Sequence, residues 1–262
     1  MPNFDLTGRV AIVTGGSDGI GKGVAIGLAE AGAGVVIAAR RQDRIDATVD
    51  QLRSMGARAL GVATDVTDEA QVRTMVDAAM KEFGRIDVLV NNAGSSWGTT
   101  FKRGTLFELE GSDFDGIFST NVKSQFFCGK AVAPIMMEQT SGGAIINMSS
   151  VGGQITGTSP TPTMAFYSAT KAAILSLSRS MAAEWAPKIR VNALMPGLIQ
   201  TDRTRNDPNR RATDEELAMN IGLNRVGLPQ DIAGAAVFLA SDAASWITGA
   251  AIQIDGGPRP RR

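Results

Sequence analysis

Arg9–Gly21 reads RVAIVTGGSDGIG, and the order of its parts decides the fold. Arg9–Thr14 is a short β-branched run that predicts a buried strand. Ile20, Val24 and Leu28 then fall at i, i+4 and i+8, one stripe of a helix. Between them lies a turn rich in glycine, which tolerates backbone angles and close approaches that a Cβ forbids. A strand that runs through such a turn into a helix presents the first-turn N–H groups and the positive end of the helix dipole to an anion. That context turns a glycine string into a dinucleotide-site expectation, with Gly15, Ser17, Asp18, Gly19, Ile20 and Gly21 as candidate contacts.

Outward from this unit the same alternation repeats. Val35–Ala39, Ala59–Ala63, Ile86–Val90, Gly143–Met148, Ile189–Leu194 and Ala251–Ile254 read as further strands. Helical stretches separate them: Asp43–Met55, the stripe from Val72 to Phe83, Asp113–Met137, Met164–Ala186, and Ile232 to Leu239. Near-continuous apolar strands separated by single helices imply a parallel sheet covered on both faces. The expectation is an α/β chain with a doubly wound parallel sheet of about seven strands between two helix layers. At roughly 100–200 residues per domain the chain fits one large domain, and no break in composition marks a linker. The domain is expected over residues 1–257, with a frayed tail over 258–262. Ser95–Ser112 and Leu198–Asn220 break the pattern. Both follow strands at the edge where open parallel sheets bind ligands, and loops of that length are usually functional.

Composition removes several chemistries. The 262 residues include no His and one Cys, so Ser-His-Asp and Cys-His catalysis are excluded, as is a zinc site with nitrogen or sulfur ligands. No metal is expected. A single Cys also excludes an internal disulfide, in keeping with a reducing compartment. The 26 basic and 26 acidic side chains cancel, which gives no electrostatic case for a nucleic-acid or membrane partner. No apolar run approaches the roughly 20 residues of a membrane helix. Met1–Gly8 lacks the basic-then-apolar order of a signal peptide. A cytoplasmic protein is expected.

Further motifs follow the glycine turn in order: Asn91–Gly94 (NNAG), Asn121, Ser149–Ser150, Tyr167-Ser-Ala-Thr-Lys171, Pro196-Gly197, and an ending of Ile247-Thr-Gly and Ile254-Asp-Gly-Gly257. Together they resemble the short-chain dehydrogenase/reductase family in its single-domain form, from about Leu6 to Gly257. The resemblance implies a Rossmann-type fold and a nicotinamide cofactor. It places Asp65 and Val66 by the adenine ring, Asn92, Ala93 and Gly94 beneath the cofactor, and Ile199 and Thr201 at its nicotinamide end.

Family members that use NAD commonly carry an acidic residue at the end of the second strand, to bond the ribose hydroxyls. Here that position is Ala39, followed by Arg40 and Arg41, and arginine pairs with a 2′-phosphate where aspartate would repel it. Asp18 argues the other way, since NADP-using members often have a basic residue just before the second motif glycine. NADP(H) is favoured, with NAD(H) as the alternative.

Tyr167 and Lys171 are four residues apart and share one helix face. A tyrosine with a pKa of about 10 is a poor proton shuttle at neutral pH, and a neighbouring ammonium is expected to lower it. The resemblance makes Tyr167 the proton donor and gives Lys171 the nicotinamide ribose. Ser150 would polarise the substrate carbonyl, and Asn121 would hold a water that links Lys171 to solvent. The family's serine precedes a Val-Gly-Gly-like stretch, which selects Ser150. Yet Ser150 lies 17 positions before Tyr167, longer than the family's usual spacing, which keeps Ser149 open.

The reaction implied is interconversion of a carbonyl and a secondary alcohol. Substrates consistent with the sequence are a small ketone, a 3-oxoacyl group, a sugar or polyol, or a steroid-like alcohol. The pocket candidates are Trp97, Thr99, Gln154, Met164, Phe166 and Leu198. Arg203, Arg205, Arg210 and Arg211 meet either an anionic substrate group or solvent. Members that act on carrier-protein substrates tend to have basic residues where this chain has Glu138-Gln139 and Ala183. Family analogy implies a homotetramer or a homodimer. The rivals are an NAD-linked alcohol dehydrogenase, an epimerase or lyase with tightly held cofactor, and a catalytically silent nucleotide-binding regulator.

Overall fold

Val10–Thr14 is buried along its whole length and forms β1, an interior strand of the sheet. In the computed structural model, which describes residues 3–154, 163–207, 210 and 212–258, it runs straight into α1 (Gly19–Glu30). There follow β2 (Gly34–Ala39), α2 (Gln42–Ser54), β3 (Ala59–Ala63), α3 (Glu69–Phe83) and β4 (Val88–Asn91). The second half holds α4 (Gly111–Phe118), α5 (Ser124–Glu138), β5 (Gly143–Met148), α6 (Ala165–Trp185) and β6 (Ile189–Pro196). It closes with the short α7 (Asp202–Arg205) and α8 (Asp214–Ala218), then α9 (Pro229–Ala240) and β7 (Ala251–Ile254).

Among the described residues the sheet has seven strands in the order β3-β2-β1-β4-β5-β6-β7, every neighbouring pair parallel. The chain walks outward from β1 to β3, then returns to the other side of β1 as β4. The order reverses between β1 and β4, and an open α/β sheet leaves its ligand crevice beyond the strand ends at such a reversal.

The core lies on both faces of the sheet. Leu28 of α1, Ile45 and Leu52 of α2 and Leu239 of α9 pack with Val13, Ile37 and Val90 on one side. Met75 of α3, Val132 and Met136 of α5 and Met181 of α6 pack with Ile12, Leu89 and Ile145 on the other. A fully buried side chain of this size contributes about 1.5–3 kcal/mol by leaving water. Gly23 faces Pro229 so closely that a Cβ there would come within 2.5 Å of the proline Cβ, which lets α1 and α9 meet without side chains between them.

The helical stretch expected over Asp113–Met137 is helical throughout, with a π-turn at Ser119–Lys123 joining α4 to α5. Two other expectations need correction. The Leu198–Asn220 stretch is not plain loop. Thr201 and Thr213 each cap a short helix by accepting a hydrogen bond from the N–H three residues on, Thr204 and Glu216 respectively. The fourth strand starts at Val88 rather than Ile86, because the Asp87 carboxylate takes the Val10 N–H at 2.9 Å and the Arg85 guanidinium just before the ladder begins. Of the expected tail, Pro258 bridges Ile221, and residues 259–262 lie outside the described residues, as do 155–162 and Arg211.

Candidate active site

The crevice between β1 and β4 is built largely from backbone. Gly15 turns away from β1 at φ +62°, a conformation that disfavours a side chain. At Gly21 an added Cβ would lie 2.2 Å from the Gly15 carbonyl oxygen, so the turn closes onto the first turn of α1 only as glycine. Thr14 ties this turn to the next strand. Its hydroxyl accepts the N–H groups of Asn92 at 3.0 Å and Ala93 at 3.1 Å. The Asn92 side-chain amide in turn donates to the Thr14 and Gly15 carbonyls. The result is an open cradle of N–H groups at a helix start, which fits a dinucleotide pyrophosphate. Ser17 and Ile20 belong to this turn, and Asp18 caps α1 by accepting the Gly19 N–H at 2.7 Å.

Asp18 is not a free negative charge. Its carboxylate pairs with Arg44 and lies 3.6 Å from Arg41, while Arg40 and Arg41 stand exposed after Ala39. Arg44 has no motif around it and was not legible in the sequence. Beyond β3, the Asp65 carboxylate holds the Thr67 N–H and hydroxyl, and Val66 is buried. On the far side, Ile199 is buried, and Thr201 sits against the glycine turn, 3.1 Å from where a Gly19 Cβ would be.

The chemistry-bearing side chains meet beside this crevice. Lys171 is 4% exposed, and its ammonium donates to the Met148 carbonyl at 2.8 Å. Burial pushes its pKa down from 10.5 to about 8. Gly94 lies alongside, since a Cβ there would stand 3.6 Å from Lys171 Nζ and 3.0 Å from Asn121 Oδ1. Asn121 is fully buried in the π-turn. Its Oδ1 accepts the Ser95 N–H at 2.8 Å, and its Nδ2 donates to the Ser95 carbonyl at 2.9 Å and to Thr170 Oγ1 at 3.0 Å. Both amide donors are therefore engaged by protein. The expected link from Asn121 through a water to Lys171 leaves only acceptor positions for that water.

The two serines separate cleanly. Ser149 is buried and its hydroxyl donates to the Lys171 carbonyl at 2.7 Å, an anchor for the helix. Ser150 accepts the Gly152 N–H at 3.1 Å, and its hydroxyl is near enough to the Tyr167 phenol to pull the phenol pKa down.

Tyr167 is half-buried, and its phenol departs from expectation. Burial raises its pKa above 10, the Ser150 hydroxyl and the Arg103 charge pulling the other way. The net shift is therefore upward, against the lowering expected from Lys171. The ammonium is anchored to Met148 O and lies 5.5 Å from the centre of the phenol ring. Arg103, which no sequence motif announced, is a further cation whose charge reaches the phenol.

The other pocket candidates scatter. Trp97 carries two stacked guanidinium groups, Arg103 at 3.9 Å and Arg203 at 4.2 Å from the ring. Phe166 stands edge-on to Phe114 at 5.3 Å, in a small aromatic group with Phe118. Leu198 and Thr99 are exposed, and Gln154 and Met164 border the undescribed 155–162 stretch. Among the described residues no three His, Cys, Asp or Glu side chains converge as a metal cluster, and no helix is long and apolar enough to cross a membrane.

This arrangement has many relatives. A family model described as enoyl-(acyl carrier protein) reductase matches residues 15–258. The 2-dehydro-3-deoxy-D-gluconate 5-dehydrogenase of Dickeya dadantii is 36% identical over 98% of this chain and 98% of its own. The 3alpha-hydroxysteroid dehydrogenase of Mediterraneibacter gnavus is 40% identical over 97% and 98%. Among solved structures, a 7 alpha-hydroxysteroid dehydrogenase complexed with NADH and 7-oxo glycochenodeoxycholic acid superposes with a TM-score of 0.89 at 35% identity, covering 99% of this chain and 97% of that one. The chain belongs to the short-chain dehydrogenase/reductase family. It is an oxidoreductase that acts on CH–OH groups and their carbonyl counterparts with a nicotinamide dinucleotide.

Proposed function

We propose that residues 1–257 form one NADP(H)-dependent oxidoreductase domain that interconverts a small-molecule ketone and its secondary alcohol. The observation that carries this reading is the meeting of Ser150, Tyr167 and Lys171 beside the Gly94 backbone, next to the glycine cradle. When bound there, the nicotinamide supplies or accepts the hydride. The chain's own residues do the rest. Tyr167 holds the proton at its hydroxyl and passes it to the substrate oxygen. Ser150 donates a hydrogen bond to the same oxygen as it gains negative charge, a contribution of about 100- to 1000-fold for one placed donor. Lys171, fixed by Met148 O, stands where it can hold the nicotinamide ribose, and Asn121 fixes Ser95 and the loop above it. Running the same transfers backward oxidises the alcohol.

The NADP(H) preference is supported by Arg40 and Arg41 after Ala39, and by the pairing of Asp18 with Arg41 and Arg44, which offsets the repulsion that carboxylate would exert on a 2′-phosphate. NAD(H) remains the second reading, favoured by the NADH in the structural relative. A fluorescence titration decides between them. NADPH is expected to bind at least about tenfold more tightly than NADH, about 1.4 kcal/mol, with the gap closing in Arg40→Ala. Equal or tighter NADH binding overturns the preference and turns the search to NAD-linked alcohol oxidation. The exposed Phe114 and Phe126 on α4 and α5 support a homotetramer or homodimer through these helices.

A further inference from the structure

The loop that follows β4 and the short helix α7 are far apart in sequence and meet over one side chain, Trp97. Two guanidinium groups stack on its ring, Arg103 from the same loop and Arg203 from α7. Each contact is favourable because the ring face attracts a cation, and the two positive charges oppose each other across it. Arg103 is paired. It donates to Asp207 at 2.7 Å, and both side chains are largely buried. Arg203 has no ion pair among the described residues. Its hydrogen bonds go to Ser95 Oγ and the Trp97 carbonyl, both neutral, and among the described residues no carboxylate lies within ion-pair distance of it. It is also exposed at the surface of the site. A further donor, Arg103 Nε, is buried with no hydrogen-bond partner among the described residues.

The location matters as much as the charge. The Ser95 hydroxyl that holds Arg203 belongs to the residue whose N–H and carbonyl bracket the Asn121 amide. The preceding Gly94 lies against Lys171 Nζ. Thr201, two residues before Arg203, rests on Gly19 of the glycine turn. Arg203 therefore stands where the dinucleotide crevice opens into the space before Tyr167. The field of Arg103 reaches the Tyr167 hydroxyl, and Arg203 feels the repulsion of Arg103 and Arg40 ahead of the attraction of Asp207 and Asp18, neither of which pairs with it directly. Two cations stacked on one ring, one of them unpaired, form a receptor for an anion: a planar guanidinium matches a carboxylate with two parallel hydrogen bonds.

We propose that the substrate is an anionic ketone or alcohol whose carboxylate is received by Arg203, with Arg103 behind it, over the Trp97 ring. This rests on the oxidoreductase reading and narrows it, making Arg203 and Arg103 specificity-determining residues. The competing source of the anion is the cofactor's own phosphates, and the test separates the two.

The probes are matched pairs that differ in charge and little else: 4-acetylbenzoate with 4-acetylbenzamide, and levulinate with levulinamide. Each is titrated into the enzyme–NADP+ complex by tryptophan fluorescence, then assayed for NADPH oxidation. At least one carboxylate is expected to bind about tenfold or more tightly than its amide, with the ratio shrinking as salt screens the charge. In Arg203→Gln that ratio falls to about one while the NADP+ dissociation constant moves less than about twofold. Arg73→Gln, an exposed arginine on α3, keeps the ratio. Equal binding within each pair, binding of no carboxylate, or a preference that survives Arg203→Gln overturns the proposal. So does a loss confined to NADP+ affinity, which assigns Arg203 to the cofactor. Reduction of both ketones at equal efficiency sinks this proposal alone, whereas a wild-type protein that binds neither dinucleotide sinks the oxidoreductase reading.

Discussion

The floor and the rim of this site are built by opposite means. On the floor, Lys171, Asn121 and Ser149 are buried, and each is held by short-range hydrogen bonds to backbone or to a neighbouring side chain. At the rim, Trp97, Arg103 and Arg203 stand on loops and a four-residue helix, held by stacking, by the Arg203 hydrogen bonds and by one ion pair that joins segments more than 100 residues apart. A buried, hydrogen-bonded floor keeps one geometry because each lost hydrogen bond there leaves an unsatisfied polar group. A charged rim can vary without disturbing it. The floor thus suits a fixed reaction and the rim suits a choice of substrate.

The sharpest way to break this comparison lies within the floor, between two adjacent serines. Ser150→Ala is expected to lower kcat about 100- to 1000-fold with dinucleotide affinity nearly unchanged, because it removes a donor to the developing oxyanion. A smaller change would move Ser150 out of the chemistry.

The next effect is a pH limb. Burial lowers the Lys171 pKa to about 8 and raises that of Tyr167, so the ammonium is the first proton lost as pH rises. Ketone reduction needs both groups protonated, so kcat/KM should fall above about pH 8 by about tenfold per unit. Lys171→Arg keeps its charge and should lose that limb, whatever its absolute rate. The same shift acts on stability. Unfolded, Lys171 holds its proton up to about 10.5, so the unfolded chain binds more protons than the folded one between about pH 8 and 10.5, and its contribution to stability rises across that window. A melting series over those pH values with wild type and Lys171→Met checks the sign.

The smallest effect is that of Ser149→Ala. It removes an anchor to the Lys171 carbonyl and should cost about 1 kcal/mol of stability, or about 2–4 °C in Tm, with kcat within about threefold of wild type. A large kcat loss here would exchange the roles of the two serines.

Strands were legible residue for residue at Ala59–Ala63, Gly143–Met148 and Ala251–Ile254, because apolar runs bounded by turns carry a local signal. The strand-turn-helix of the glycine motif was legible for the same reason. The π-turn around Asn121 was not, since the one-residue shift it puts into the apolar stripe looks like ordinary irregularity in sequence and is set by what the side chains meet in three dimensions. Nor was the state of Tyr167. Spacing placed Lys171 one turn away, but only packing shows that its ammonium is turned to Met148 O and that the Arg103 charge also reaches the phenol. Arg44 and Arg103 act through partners distant in sequence, Asp18 and Asp207, and no local pattern marks such pairs.

The most direct test of the account is Tyr167→Phe, which deletes one oxygen from the floor. Measured side by side, NADPH affinity should stay within about twofold of wild type while ketone reduction falls by about 1000-fold or more, about 4 kcal/mol of barrier. Retained turnover in Tyr167→Phe would contradict the account, because the proton would then be coming from somewhere else.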